Sequence, residues 1–139
     1  MIADKLAEIP LFASLSKGER EQIARAADEV EVEEGKHLAE QGRFAYEFMA
    51  IEEGTADVVK DGEKLRELGP GDFFGEIGLL EAERRTATVV ATTPLRVLAI
   101  EGRDFVELLD SLPELWLKVA RALADRVESD EAAEALARS

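Results

Sequence analysis

From Gly35 to Gly69 the chain meets Gly35, Gly42, Gly54, Gly62 and Gly69 at intervals of 7 to 12 residues, with Gly71 close behind, and glycines at about the 8 to 12 residue spacing of an antiparallel sandwich or barrel leave room only for short strands joined by tight turns. This punctuation argues for an antiparallel sandwich or barrel. Val30 and Val32 alternate with acids, Phe48 to Ile51 is an apolar run, and Ala56 to Val59 leads into Lys60-Asp61-Gly62-Glu63, where Asp-Gly signals a hairpin. After an interruption, Thr88 to Thr92 and Leu95 to Ile100 read as further strands around a turn at Pro94. The flanks follow a helical period instead. Residues 2 to 27 predict two short helices, with Ile2, Leu6, Ile9, Ile23, Ala24 and Ala27 at helix spacing and Ser16 and Glu19 forming a capping box. Arg103 to Leu109 predicts another helix, and Ser111 with Glu114 a second capping box opening a final one. Leu112, Leu115, Trp116, Val119, Leu123 and Val127 form the apolar stripe of that last helix, with Trp116 expected in a core or an interface.

At 139 residues, one domain is expected, large enough to bury a core without staples. With 31 acids against 17 lysines and arginines, the net charge of −14 repels phosphate backbones and anionic lipid, so neither nucleic acid nor membrane is an expected partner. There is no cysteine, which excludes disulfides and thiolate metal sites. A single histidine, His37, leaves too few ligands for a metal-dependent barrel enzyme and too few bases for a serine-histidine pair. No catalysis and no metal are expected. No basic leader precedes an apolar stretch at Met1, so a cytoplasmic location is the default.

The segment from Phe73 to Val89 breaks the strand pattern. Pro70-Gly71-Asp72 reads as a turn, Phe73-Phe74 as a short strand, and Gly75 permits close backbone approach just before a short helix beginning near Glu76. A helix start offers unpaired N–H donors, and Arg84-Arg85 lies ten residues on, the one adjacent basic pair of the chain. Together they describe a compact anion site in an acidic protein. An arginine fork on phosphate is a charge-assisted contact of about 1.5–3 kcal/mol.

Gly75-Glu76-Ile77-Gly78-Leu79-Leu80 followed by Arg85-Thr86-Ala87-Thr88-Val89 resembles the phosphate-binding cassette of the cyclic nucleotide-binding domain family, the effector domain of the catabolite activator or cAMP receptor superfamily. Ile9-Pro10-Leu11-Phe12, the Gly54 turn and Leu68-Gly69-Pro70-Gly71-Asp72 extend the resemblance over nearly the whole chain. It implies an α+β, mainly β fold: an antiparallel jelly-roll barrel over residues 29–101, with the cassette at 73–89. Helices over 1–28 and a long C-terminal helix within 102–139 flank it, all in one domain. It further implies that Arg85 pairs with a cyclic phosphate, that Glu76 accepts from the ribose 2′-hydroxyl, and that main chain near Gly75, Ile77, Gly78, Thr86 and Ala87 completes the cradle. The ligand implied is cAMP, with cGMP kept open by Thr86. Base capping falls to Arg126, Val127 and Asp130 of the last helix.

The implied function is a sensor, in which the bound nucleotide shifts the C-terminal helix and so its affinity for a protein partner or a second copy of the chain. Family members attach such a domain to an output, and none follows within 139 residues, so a free-standing module or a piece of a larger protein is expected. The rival reading is a degenerate fold serving as a ligand-free interaction or dimerisation domain. Glu81 and Glu83 in the spacer before Arg85, and the absence of aspartates after Gly42, favour that rival; the intact Glu76 and Arg85 oppose it.

Overall fold

A computed structural model describes residues 2–39, 47–74, 87–122 and 124–125. Three helices open the chain, where two were expected: α1 (Ile2–Leu6), α2 (Pro10–Ala13) and α3 (Lys17–Ala26). Pro10 is the reason. It occupies the first turn of α2, where its missing N–H costs nothing, and it forces a break after α1. The capping box at α3 forms as predicted: the Glu19 amide donates to Ser16 Oγ at 3.2 Å, and the Ser16 amide donates to Glu19 Oε1 at 2.8 Å.

Among the described residues eight strands follow: β1 (Ala27–Val32), β2 (His37–Ala39), β3 (Glu47–Glu53), β4 (Ala56–Lys60), β5 (Glu63–Leu68), β6 (Phe73–Phe74), β7 (Thr88–Ala91) and β8 (Leu95–Glu101). They form two four-stranded antiparallel sheets, β1-β8-β3-β6 (sheet 1) and β2-β7-β4-β5 (sheet 2). The jelly-roll expectation holds, as two sheets over the described residues and not as a closed barrel. Asp61 and Gly62 turn β4 into β5 with φ of 52° and 81°, the two positive values that a tight hairpin requires. Gly54 turns β3 into β4 at φ +94°, where a Cβ would lie 2.3 Å from the Pro94 carbonyl oxygen.

The β3, β6 and β8 strands of sheet 1 are buried on both faces, which explains their apolar runs. Phe48 and Ala50 of β3, Leu98 and Ile100 of β8, and Phe73 of β6 join the helices in one core. Their neighbours Ile51, Val97 and Phe74 point the other way, into a second core shared with Ala56, Val58, Val89 and Ala91 of sheet 2. The molecule is therefore layered as helices, sheet 1, sheet 2. The alternation read in β1 is only half right: Val32 is buried, but Val30 is 41% exposed. β1 lies at the edge of sheet 1, and only its two end residues, Ala27 and Val32, are buried.

After β8 comes α4 (Gly102–Ser111), then a helix over residues 113–122. The second capping box does not form. Ser111 ends α4 and its hydroxyl donates to the Glu107 carbonyl at 3.0 Å, while Pro113 opens the next helix. Leu112, Leu115 and Val119 are buried as the stripe predicts, but Trp116 is 45% exposed and lies outside the core of this chain.

Candidate functional site

The predicted cradle is bracketed by two strands with different allegiances. β6, ending at Phe74, pairs with β3 in sheet 1, whereas β7, starting at Thr88, pairs with β4 in sheet 2. The intervening residues thus connect one sheet to the other. Gly75, Glu76, Ile77, Gly78, Arg85 and Thr86 lie outside the described residues, as do Arg126, Val127 and Asp130. Ala87 is the one predicted contact that is described, and it packs half-buried against the inter-sheet core.

The frame around the segment is well fixed. The Gly69–Asp72 turn is closed by the Gly69 amide donating to Asp72 Oδ2 at 2.8 Å and by the Asp72 amide donating to the Gly69 carbonyl at 3.0 Å. It is stitched to β3 through the Gly71 amide on the Ile51 carbonyl and the Ile51 amide on the Asp72 carbonyl, both 2.8 Å. Phe73 and Phe74 then bury on opposite faces of sheet 1. Such a rigid approach is what a binding segment on a connection needs. Leu38, Met49, Leu65 and Ala87 line the inter-sheet core as half-buried apolar groups.

A second polar constellation was not anticipated in the sequence. Arg96 of β8 pairs with Glu31 at 3.3 Å and Glu29 at 3.8 Å on β1, and with Glu53 at 3.4 Å on β3. Lys5 of α1 reaches into the same group, bonding Glu29 and lying 3.7 Å from Glu52. The Glu29 hydrogen bond holds the Lys5 ammonium above its usual range, and the same bond holds the Glu29 carboxyl below its own. Only the register of three strands reveals this group, because its members lie up to 91 positions apart. Two clefts border it, of about 590 and 300 Å³, and neither is lined by a predicted nucleotide contact. No group of three or more metal-ligating side chains occurs among the described residues.

The family model for the cyclic nucleotide-binding domain matches residues 29–111. The chain belongs to that family. It is 36% identical over 118 residues to a cAMP-dependent protein kinase regulatory subunit of Schizosaccharomyces pombe, covering 84% of this chain and 29% of that protein. The structure superposes on the Thermus thermophilus catabolite activator protein with a TM-score of 0.79 at 28% identity, covering 92% of this chain and 63% of that one. It is also similar to the regulatory subunit of a cAMP-independent protein kinase A from Trypanosoma brucei, with a TM-score of 0.77, 28% identity and coverage of 90% and 44%. The chain spans less than a third of the length of the curated relatives it matches. Among the described residues no helix is long and apolar enough to cross a membrane.

Proposed function

We propose that the chain is a cyclic nucleotide receptor module with no catalytic activity of its own, acting in the cytoplasm and taking cAMP as its ligand, with cGMP as the competitor. The observation that carries the reading is the placement of the cassette sequence between β6 of sheet 1 and β7 of sheet 2, so that its two ends are anchored in both layers. Arg85 neutralises the cyclic phosphate, Glu76 accepts from the ribose 2′-hydroxyl, and main chain of Gly75, Ile77, Gly78, Thr86 and Ala87 supplies the remaining contacts. Arg126, Val127 and Asp130 cap the base. Closure of that cap moves the C-terminal helix, whose exposed Trp116 and Leu117 offer an apolar face to a protein partner or a second copy. Such coupling requires the nucleotide to contact the helix better in one position than in another.

Isothermal titration with cAMP and cGMP tests this directly. Micromolar or tighter binding, about −8 kcal/mol, is expected for one of them. Arg85→Ala, folded by circular dichroism, should lose about ten- to a hundredfold in affinity, the worth of one charge-assisted phosphate contact. A second reading, a ligand-free member of the family, is favoured by Glu81 and Glu83 beside Arg85. No heat and no thermal shift at millimolar nucleotide would establish it in place of the first.

A further inference from the structure

The strands β3 and β8 slip register between Ile51 and Glu53, so Glu52 is the inserted residue of a bulge. A bulge re-aims a side chain, and this one carries the Glu52 carboxylate inward: its side chain is 9% exposed, and Oε1 has neither solvent contact nor a hydrogen-bond partner. An orphaned buried carboxylate oxygen is costly. Protonation removes the buried charge, and Glu29 is the carboxyl with which Glu52 shares that proton in a hydrogen bond. The charged groups near it are Lys5 from α1, Glu8 from the turn that follows, Glu29 from β1, Glu53 from β3 and Arg96 from β8, the last also paired with the exposed Glu31.

We propose that Glu52 is the proton-bearing member of a clasp that holds α1 against sheet 1, so that the docking of the N-terminal helix responds to pH. Lys5 is the arm of the clasp, shared between Glu29 and Glu52. With Glu52 neutral, Lys5 serves Glu29 alone and no charge is buried. Ionisation puts a second carboxylate into the same desolvated corner, and that charge is relieved when α1 lifts and water enters from the 300 Å³ cleft beside Lys5, Pro70 and Gly71. Burial first, and then the Glu29 charge, raise the Glu52 carboxyl above its usual 4.5, against the pull of Lys5 and Arg96. The docked state therefore holds the proton more tightly than the lifted one. Docking is strongest below 4.5 as far as Glu52 is concerned, and weakens as pH rises from there through the raised value. Glu29 acts in the opposite sense and in a separate window, because its lowered pKa contributes docking above 4.5 that is lost as pH falls further. Leu6 of α1 and Ile9 after it belong to the same core as Leu115 and Val119.

Hydrogen exchange reads the clasp through the Glu8 and Ile9 amides, which donate to the Lys5 and Leu6 carbonyls at 3.1 Å. After correction for intrinsic rates, their protection is expected to fall as pH rises from ~5 to ~8, by at most about tenfold per pH unit, the limit that one titrating carboxyl imposes. Glu52→Gln keeps the shape and the neutral charge, so it should remain docked and show no such fall. Equal protection across the range in the parent chain, or an undiminished fall in Glu52→Gln, would overturn the proposal. Carboxyl-carbon NMR of the parent chain supplies an independent decision should Glu52→Gln fail to fold. A Glu52 midpoint above 4.5 is expected, and one at or below it would refute the clasp.

Discussion

The two faces of sheet 1 are built from different materials. On the helix side, Phe12, Phe48, Phe73 and Phe105 meet around Phe48, which stacks on Phe105 with ring centroids 4.2 Å apart and planes within 7°. On the side facing sheet 2, the core is largely Ala56, Val58, Val89, Ala91 and Val97 with Ile51, Leu68, Leu95 and Phe74. Four aromatic rings lock one face, and mostly small aliphatic groups fill the other. The contrast assigns stability chiefly to the helix face. The inter-sheet face, onto which Ala87 packs, is left with the smaller groups.

That division can be broken by substitution. Phe48→Ala empties the centre of the aromatic cluster from a fully buried site, and should cost about 3–5 kcal/mol in urea unfolding. Gly54→Ala tests the turn that joins the two sheets. With φ at +94° and a carbonyl oxygen 2.3 Å from the new Cβ, it should cost about 1–3 kcal/mol, read by the same method. Ile51→Val, a methylene removed from the inter-sheet face, should cost only about 0.5–1.5 kcal/mol. If Ile51→Val proved as damaging as Phe48→Ala, the two faces would not differ as described. The comparison sharpens if Ile51→Val also alters nucleotide affinity in titration while conservative changes on the helix face leave it unaltered.

Much of the fold was legible along the chain because its signals are local. The Ser16 cap, the Asp61-Gly62 hairpin, the Gly54 turn and the Pro70-Gly71-Asp72 turn each rest on a few adjacent residues whose backbone preferences hold in any context. The same locality misled at Ser111, where a capping pattern lost to Pro113, and at Val30, where alternation said nothing about which strand lies at the edge. The candidate cradle was legible as a motif, since Gly75, Glu76 and Arg85 sit within a dozen residues. The Arg96 group was not. Its partners are distant in sequence, and a chain this acidic has too many carboxylates for any one to stand out.

The class of fold, the turns and the cassette motif were readable in the sequence, because periodicity, glycine placement and motif spacing act over short stretches of chain. Packing of distant segments settled the rest: that β3, β6 and β8 of sheet 1 are covered on both faces, that Trp116 stays exposed, and that a bulge turns Glu52 inward beneath Lys5. Those facts depend on strand order and register, which arise when distant segments pack and are written in no single stretch of residues.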